Sequence, residues 1–217
     1  MHCYTSQVGK STLFNRLCGT RAAIVSDVPG TTRDRKVMKG FLSGLPLTVI
    51  DTGGYDDRGS ISSDIKNQVE QALNSVDVVL FVLDARSGVT AVDVEFSKWL
   101  RKNVGKINAS SKSGKQVDTV VLANKTEGGV LSEKVLGSIE DSLKFGFGTP
   151  FLISASHGDG LADLADYLIH RAKTTGFMHI DEDLGQKHND AIKIEERTIQ
   201  LAIMGRPNVG KSTLLNR

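Results

Sequence analysis

Two spacings of apolar residues alternate along this 217-residue chain. Val76 to Leu83 and Val117 to Ala123 are almost unbroken apolar runs, as expected of strands covered on both faces of a parallel sheet. Val37 to Leu42 and Leu45 to Ile50, separated by Ser43-Gly44, read as a hairpin, and Pro150 to Ile153 as a short strand. Helical spacing runs through Lys10 to Leu17, with Leu13, Phe14 and Leu17 on one face. It returns in Ile61 to Ser75, Val92 to Leu100, Leu131 to Phe145 and Leu161 to Lys173. Ser26 to Asp34, around Pro29-Gly30, is a candidate mobile loop, and Asn103 to Gln116 reads as an exposed loop insertion. Strands alternating with helices predict an α/β fold, a mostly parallel sheet with helices on both faces.

One phrase is written twice. Val8 to Arg16 reads VGKSTLFNR and Val209 to Arg217 reads VGKSTLLNR. In the second copy, Gly205, Asn208, Gly210, Lys211, Ser212 and Thr213 belong to a complete G-x-x-x-x-G-K-[ST] phosphate loop. There backbone N–H groups wrap phosphates, the lysine reaches the terminal phosphates and Ser212 would ligate Mg²⁺. The first copy keeps Gly9, Lys10, Ser11 and Thr12, but Tyr4 stands where the leading glycine belongs and Gln7 where the asparagine belongs.

Such a loop follows a buried strand. Thr198 to Met204 supplies one for the second copy, whereas Met1 to Gln7 is short and polar, so the first domain lacks its central strand. The expected organisation is a first nucleotide-binding domain over residues 1–173, a linker over 174–197 and the start of a second domain over 198–217. Two placements of the last segment remain open. It either projects as the start of an absent domain, or folds back to fill the vacant strand position, because unpaired backbone groups beside that vacancy are too costly to leave.

Composition narrows the classes. Hydrophobic residues make up 39% and charged residues 24%, as in ordinary globular proteins, and a net charge of +2 gives no broad pull on nucleic acid. Cys3 and Cys18 are too few for a disulfide framework or a zinc site, and the five histidines lack metal-ligand spacing. No apolar run reaches the ~18 residues of a membrane span.

The ordered motifs carry a resemblance. After the first phosphate-loop copy come PGTTRD (Pro29 to Asp34), DTGG (Asp51 to Gly54), DARSG (Asp84 to Gly88), NKTE (Asn124 to Glu127), Ile153 to Gly160, and GRPNVGKST (Gly205 to Thr213). In this order the chain resembles the EngA/Der family of tandem GTPases, ribosome-assembly factors of the Ras-like P-loop NTPase fold.

The resemblance implies GTP and GDP as ligands, Mg²⁺ as cofactor, and the ribosome or rRNA as partner, in the cytoplasm or an organellar (plastid or mitochondrial) matrix. No DNA partner is implied. Lys10 would be the phosphate lysine and Ser11 a Mg²⁺ ligand, with Thr32 joining the metal and closing a first switch over the γ-phosphate. Asp51 would hold Mg²⁺ through water, and the Gly54 N–H would sense the γ-phosphate. Asn124, Lys125 and Glu127 would frame the guanine, Glu127 standing where the family carries aspartate. Ser154 and Ala155 would present a backbone N–H to guanine O6. Tyr55 follows Gly54 where Ras-like enzymes place a water-orienting glutamine. Relatives compensate with K⁺ held by the loop asparagine, so Gln7 places K⁺ activation of the first domain in doubt. The alternatives are a binding module that does not hydrolyse GTP and an ATP-using phosphoryl-transfer enzyme. The NKTE motif disfavours the latter.

Overall fold

The computed structural model describes residues 8–18, 36–51, 69–111, 114–127, 132–175 and 198–205. In chain order these form α1 (Lys10–Cys18), β1 (Lys36–Leu42), β2 (Leu45–Asp51), β3 (Val78–Asp84), α2 (Ala91–Ser110), β4 (Asp118–Asn124), α3 (Glu133–Leu143), β5 (Phe151–Ile153), α4 (Leu161–Thr174) and β6 (Ile199–Met204). Residues 69–73 are also helical. The reading made on Ser26 to Asp34 and the linker beyond Thr175 lie outside the described residues, while Thr174, expected in the linker, ends α4.

The sheet has six strands in the order β1-β2-β6-β3-β4-β5. β1 and β2 form the expected antiparallel hairpin, turning through Ser43 (φ 49°) and Gly44 (φ 82°). Every other pairing is parallel. Alternation along β3 divides the core. Val78, Leu80 and Val82 pack with Leu13 and Leu17 of α1 and Leu164 and Leu168 of α4, while Val79, Phe81 and Leu83 pack with Leu73 and with Phe96 and Leu100 of α2. Because successive strand side chains point to opposite faces, helices cover both sides.

β6 lies at the centre of the sheet, between β2 and β3. It runs parallel to both neighbours, pairing Val49 with Leu201 on one side and Val79 with Ala202 on the other. Its sequence suits that slot: Ile199, Leu201 and Ile203 enter the α1 side of the core, and Ala202 and Met204 the α2 side. The buried Asp77 fixes the strand's start, since Gln200 N–H donates to its carboxylate at 2.9 Å and Asp77 N–H donates to Gln200 O at 2.8 Å. Thr48 and Thr198 share a hydroxyl hydrogen bond of 2.6 Å nearby. Of the two placements left open by the sequence, the structure has the inward one. Ile199–Met204 thus belong to the same six-stranded sheet as β1 to β5.

One expected element is corrected. The exposed loop read over Asn103 to Gln116 is helical as far as Ser110. Thr90 and Asp93 close a capping box at the start of α2. At the far end Asn103 and Val104 are buried, and Ile107 packs against the core. The Asn108 amide then holds both backbone groups of Val117, at 3.1 and 2.8 Å, which docks the helix end on β4's entrance. Glycine and serine content concealed an apolar stripe that continues at helical spacing.

Candidate functional site

Five parallel strands end at one edge of the sheet, and in such sheets ligands bind in the crevice beyond those carboxyl ends. Asp51, Asp84 and Asn124 are the last residues of β2, β3 and β4, while Gly205 and Ser154 immediately follow β6 and β5. Motifs scattered over the chain thereby meet along one line.

At the middle of this edge stands the head of α1. Gly9 has φ 89°, and a Cβ there would come 2.2 Å from Asn124 Nδ2, so only glycine allows that approach. Lys10 begins the helix and is buried, while Ser11 and Thr12 on the same turn are exposed. Gly205, arriving from β6, lies against this turn. A Cβ on it would stand 2.6 Å from Val82 O, 3.3 Å from Val8 Cγ2 and 3.5 Å from Lys10 Cδ. A helix start with an ammonium beside it attracts phosphate through unpaired N–H groups and the helix dipole.

Asn124 joins the loops. Its buried amide donates from Nδ2 to Val8 O at 2.7 Å and accepts at Oδ1 from Ala155 N–H at 2.8 Å. From the other side, Arg16 of α1 donates through Nε to Ala155 O at 2.5 Å and also to Ser156 O. Ala155 is thus held by both its backbone groups, and the N–H expected to meet guanine O6 is engaged with Asn124. Ser154 is buried, its hydroxyl within hydrogen-bonding distance of His157 Nδ1 (2.9 Å) and Ser156 Oγ (3.1 Å).

Lys125, at φ 72°, directs its ammonium to Asp84 Oδ2 at 2.6 Å. The buried Asp84 also receives Arg86 N–H, Ser87 N–H and the Ser87 hydroxyl. Burial works to raise its carboxyl pKa, but Lys125 and Ser87 together hold it below the ordinary value. A depressed folded-state pKa stabilises the protein above the unfolded value of 3.8, and that stabilisation is lost as pH falls through the folded value. Urea midpoints should therefore drop on acidification below about pH 4. The Asp84→Asn variant should show a smaller drop than the unaltered protein, and an equal drop would rule Asp84 out as a source of it.

Glu127 has two different oxygens. Oε1 pairs with Arg86 at 2.8 Å, while Oε2 is buried with no hydrogen-bond partner in the structure. Burial opposes its ionisation, yet its own backbone N–H, the neighbouring Ser154 hydroxyl and the Arg86 and His157 charges keep the carboxyl below its usual range. Oε2 alone has no donor within hydrogen-bonding geometry, and a buried carboxylate oxygen of that kind is a ready receiver for ligand N–H groups. Arg86 also reaches Lys125 O at 3.1 Å and Glu127 O at 3.4 Å, and so braces the whole segment.

Of the residues singled out from sequence, Gly9, Lys10, Ser11, Thr12, Asp51, Asn124, Lys125, Glu127, Ser154, Ala155 and Gly205 come to this edge. Thr32, Gly54, Asn208, Gly210, Lys211, Ser212 and Thr213 lie outside the described residues, as do Tyr4, Gln7 and Tyr55. Sequence reasoning assigned nothing to Arg16 or Arg86, and Asp84 entered only as part of a motif. Asp84's signal was a lone carboxylate ending an apolar run, whereas Arg16's partner is 139 residues away. Concavity alone would mislead: a cavity of about 370 Å³ lies between α2 and α3, lined by Val94, Arg101, Asp141 and Phe145, and includes none of these residues. Among the described residues no three His, Cys, Asp or Glu side chains gather as a metal set, and no helix is long and apolar enough to cross a membrane.

A parallel sheet with a glycine-lysine turn heading α1, and polar groups converging on that turn, defines a phosphate-loop nucleotide-binding fold. The family model described as 50S ribosome-binding GTPase matches residues 5–125 and 200–217, more than half of the chain, which therefore belongs to that family. It is similar to GTPase Der of Novosphingobium aromaticivorans, 40% identical over 215 residues, covering 97% of this chain and 42% of that protein. Against GTPase Der of Nitrobacter hamburgensis it is 41% identical over 213 residues, again with 42% of that protein covered. The chain thus spans about two fifths of these relatives' length. Aquifex aeolicus Era bound to GDP.AlF4- shares the fold at a TM-score of 0.51 and 26% identity, with 76% of this chain and 53% of that one covered. Era in complex with MgGDPNP and a segment of 16S ribosomal RNA matches at the same TM-score and identity, over 84% of this chain and 57% of that one.

Proposed function

We propose that this chain binds GTP and GDP at the carboxyl edge of its sheet and hydrolyses GTP slowly, as a nucleotide-dependent switch. The observation that carries the reading is Glu127 Oε2, a buried carboxylate oxygen without a donor, set on the segment that Asn124 ties to the head of α1. Guanine presents two adjacent N–H donors to such a group, whereas adenine lacks that pair, so the site favours guanine. The residues present fit a guanine nucleotide at both ends: an acceptor for the base, and a glycine-lysine helix start for phosphate.

In this reading Lys10 and the N–H groups opening α1 hold the phosphates, Ser11 and Asp51 face the bound Mg²⁺, and Glu127 with Asn124 and Lys125 holds the base. Mg²⁺, when bound, offsets the negative charge of the phosphates. Lys125 acts through its ion pair with Asp84, which fixes the ammonium at the strand end. Thr32 and Gly54 remain the proposed switch residues and Ser212 the second copy's metal ligand. The similarity to Der, and to an Era structure that contains 16S ribosomal RNA, supports a ribosomal or rRNA partner.

Titration with a fluorescent GDP tests the proposal. The unaltered chain should bind, with GTP competing and ATP not competing at equal concentration. Glu127→Gln removes the charged acceptor and should weaken guanine binding about 10- to 100-fold, as losing a charge-assisted hydrogen bond does. Equal competition by ATP and GTP, or an unchanged affinity in Glu127→Gln, would overturn the base-recognition role.

A further inference from the structure

The carboxylate of Glu127 is held on one side only. Oε1 pairs with the Arg86 guanidinium at 2.8 Å, while Oε2 is buried without a hydrogen-bond donor. Arg86 is itself fixed at both ends of its residue. Its N–H donates to Asp84 Oδ1 at 3.0 Å, which sets the turn after β3. Its Nε donates to Lys125 O at 3.1 Å and its Nη2 to Glu127 O at 3.4 Å. A lone ion pair at a surface contributes little and rearranges readily. A rigid guanidinium fork that also bonds two carbonyls of the same segment has its orientation set by them.

The two oxygens therefore differ in what they can take from a ligand. The edge of guanine that meets a carboxylate carries two donors, the ring N1–H and the exocyclic N2 amine, and full recognition uses one oxygen for each. Here Oε1 already accepts from a cation, and the positive charge of Arg86 opposes a further N–H donor on that atom. Oε2 is left to accept one strong bond. Hypoxanthine keeps the N1–H and O6 of guanine and lacks the amine. A site that accepts one donor loses little with the amine gone, whereas a site that accepts both loses a charge-assisted hydrogen bond. Adenine, whose N1 carries no hydrogen, turns a lone pair toward Oε2 and is rejected.

We propose that this site admits 6-oxopurine nucleotides as a class, guanine and hypoxanthine alike, because Arg86 occupies the second oxygen of Glu127. The inference rests on the guanine-nucleotide reading above and deepens it by naming the bases the site accepts. Arg86 is a positioning residue in this scheme, acting through Glu127.

Competition against a fluorescent GDP on the full chain tests it, with GDP, IDP and ADP as competitors. For the unaltered chain IDP should compete within about 10-fold of GDP, and ADP should not compete at the same concentrations. Arg86→Met frees Oε1 for the amine, and the preference for GDP over IDP should rise by about 10- to 100-fold, the worth of a charge-assisted hydrogen bond. Losing Arg86 also loosens the segment that it braces, but that lowers affinity for both diphosphates together and leaves their ratio unmoved. The ratio thus reads the freed oxygen rather than the fold. If circular dichroism shows Arg86→Met to be unfolded, Arg86→Gln serves, since it keeps an amide donor for Lys125 O and removes the charge, and the same rise is expected.

A preference for GDP over IDP above about 10-fold in the unaltered chain overturns the proposal, and so does a ratio that stays unchanged in the folded Arg86 variant. Either result leaves the guanine-nucleotide reading standing. Failure of the unaltered chain to bind GDP at all instead overturns that reading, and the wider base tolerance with it.

Discussion

Asn124→Ala should lower stability by about 2–6 kcal/mol, because it leaves two buried backbone groups without partners at ~1–3 kcal/mol each. Those groups are Val8 O and Ala155 N–H, bonded to the amide at 2.7 and 2.8 Å in a fully buried setting. On a typical reserve of about 5–15 kcal/mol the loss is severe, and it should appear as a fall in melting temperature of roughly 5–15 °C. Nucleotide affinity should fall as well, since Asn124 joins the head of α1 to the loop after β5. Asn124→Asp separates the two bonds: it keeps an acceptor for Ala155 N–H but sets a carboxylate oxygen against Val8 O. A melting temperature within one or two degrees of the unaltered protein in both variants would show that the amide does not bind the loops together.

Leu201→Ala is the second large effect, expected at about 2–5 kcal/mol for a fully enclosed leucine. Leu201 pairs with Val49 on one side and Val78 on the other, and its side chain lies in the core beneath α1. Leu136→Ala on α3 is the comparison, since Leu136 is 45% exposed and its truncation should cost well under half as much. Urea denaturation followed by circular dichroism would report both. If Leu201→Ala shifted the midpoint no more than Leu136→Ala, β6 would not be part of the cooperative core.

Much of this architecture could be read before the structure. The apolar runs of β3 and β4, the Ser43-Gly44 hairpin and the helices α1 and α4 stand near their expected bounds, because local periodicity and turn chemistry decide them. Asp51, Asp84, Asn124, Ser154 and Gly205 also stand where the sequence put them, at or just after the ends of strands, and parallel strands share an edge. What escaped was decided at long range. The end of α2 is settled by Asn103, Val104 and Asn108 packing on the sheet, against a local composition that suggests a loop. Arg16 reads as an ordinary surface residue of α1 until the chain brings Ala155 O within its reach. The Ala155 N–H turned inward to Asn124 because a buried amide needs both its donor and its acceptor satisfied, a demand that no motif records. As for 198–204, sequence could describe the strand and the gap, but only pairing geometry joins them.

The position of β6 also bears on how the molecule is made. Thr48 and Thr198, which bond across the β2–β6 seam, are 150 residues apart, so a nascent chain displays β2 and β3 long before the strand that separates them leaves the ribosome. Until then two apolar strand edges stand open beside one another, inviting a misregistered closure or capture by another polypeptide. Folding of the whole sheet therefore waits until residues 199–204 have been synthesised, and the yield of native protein should depend on chaperone protection during that wait.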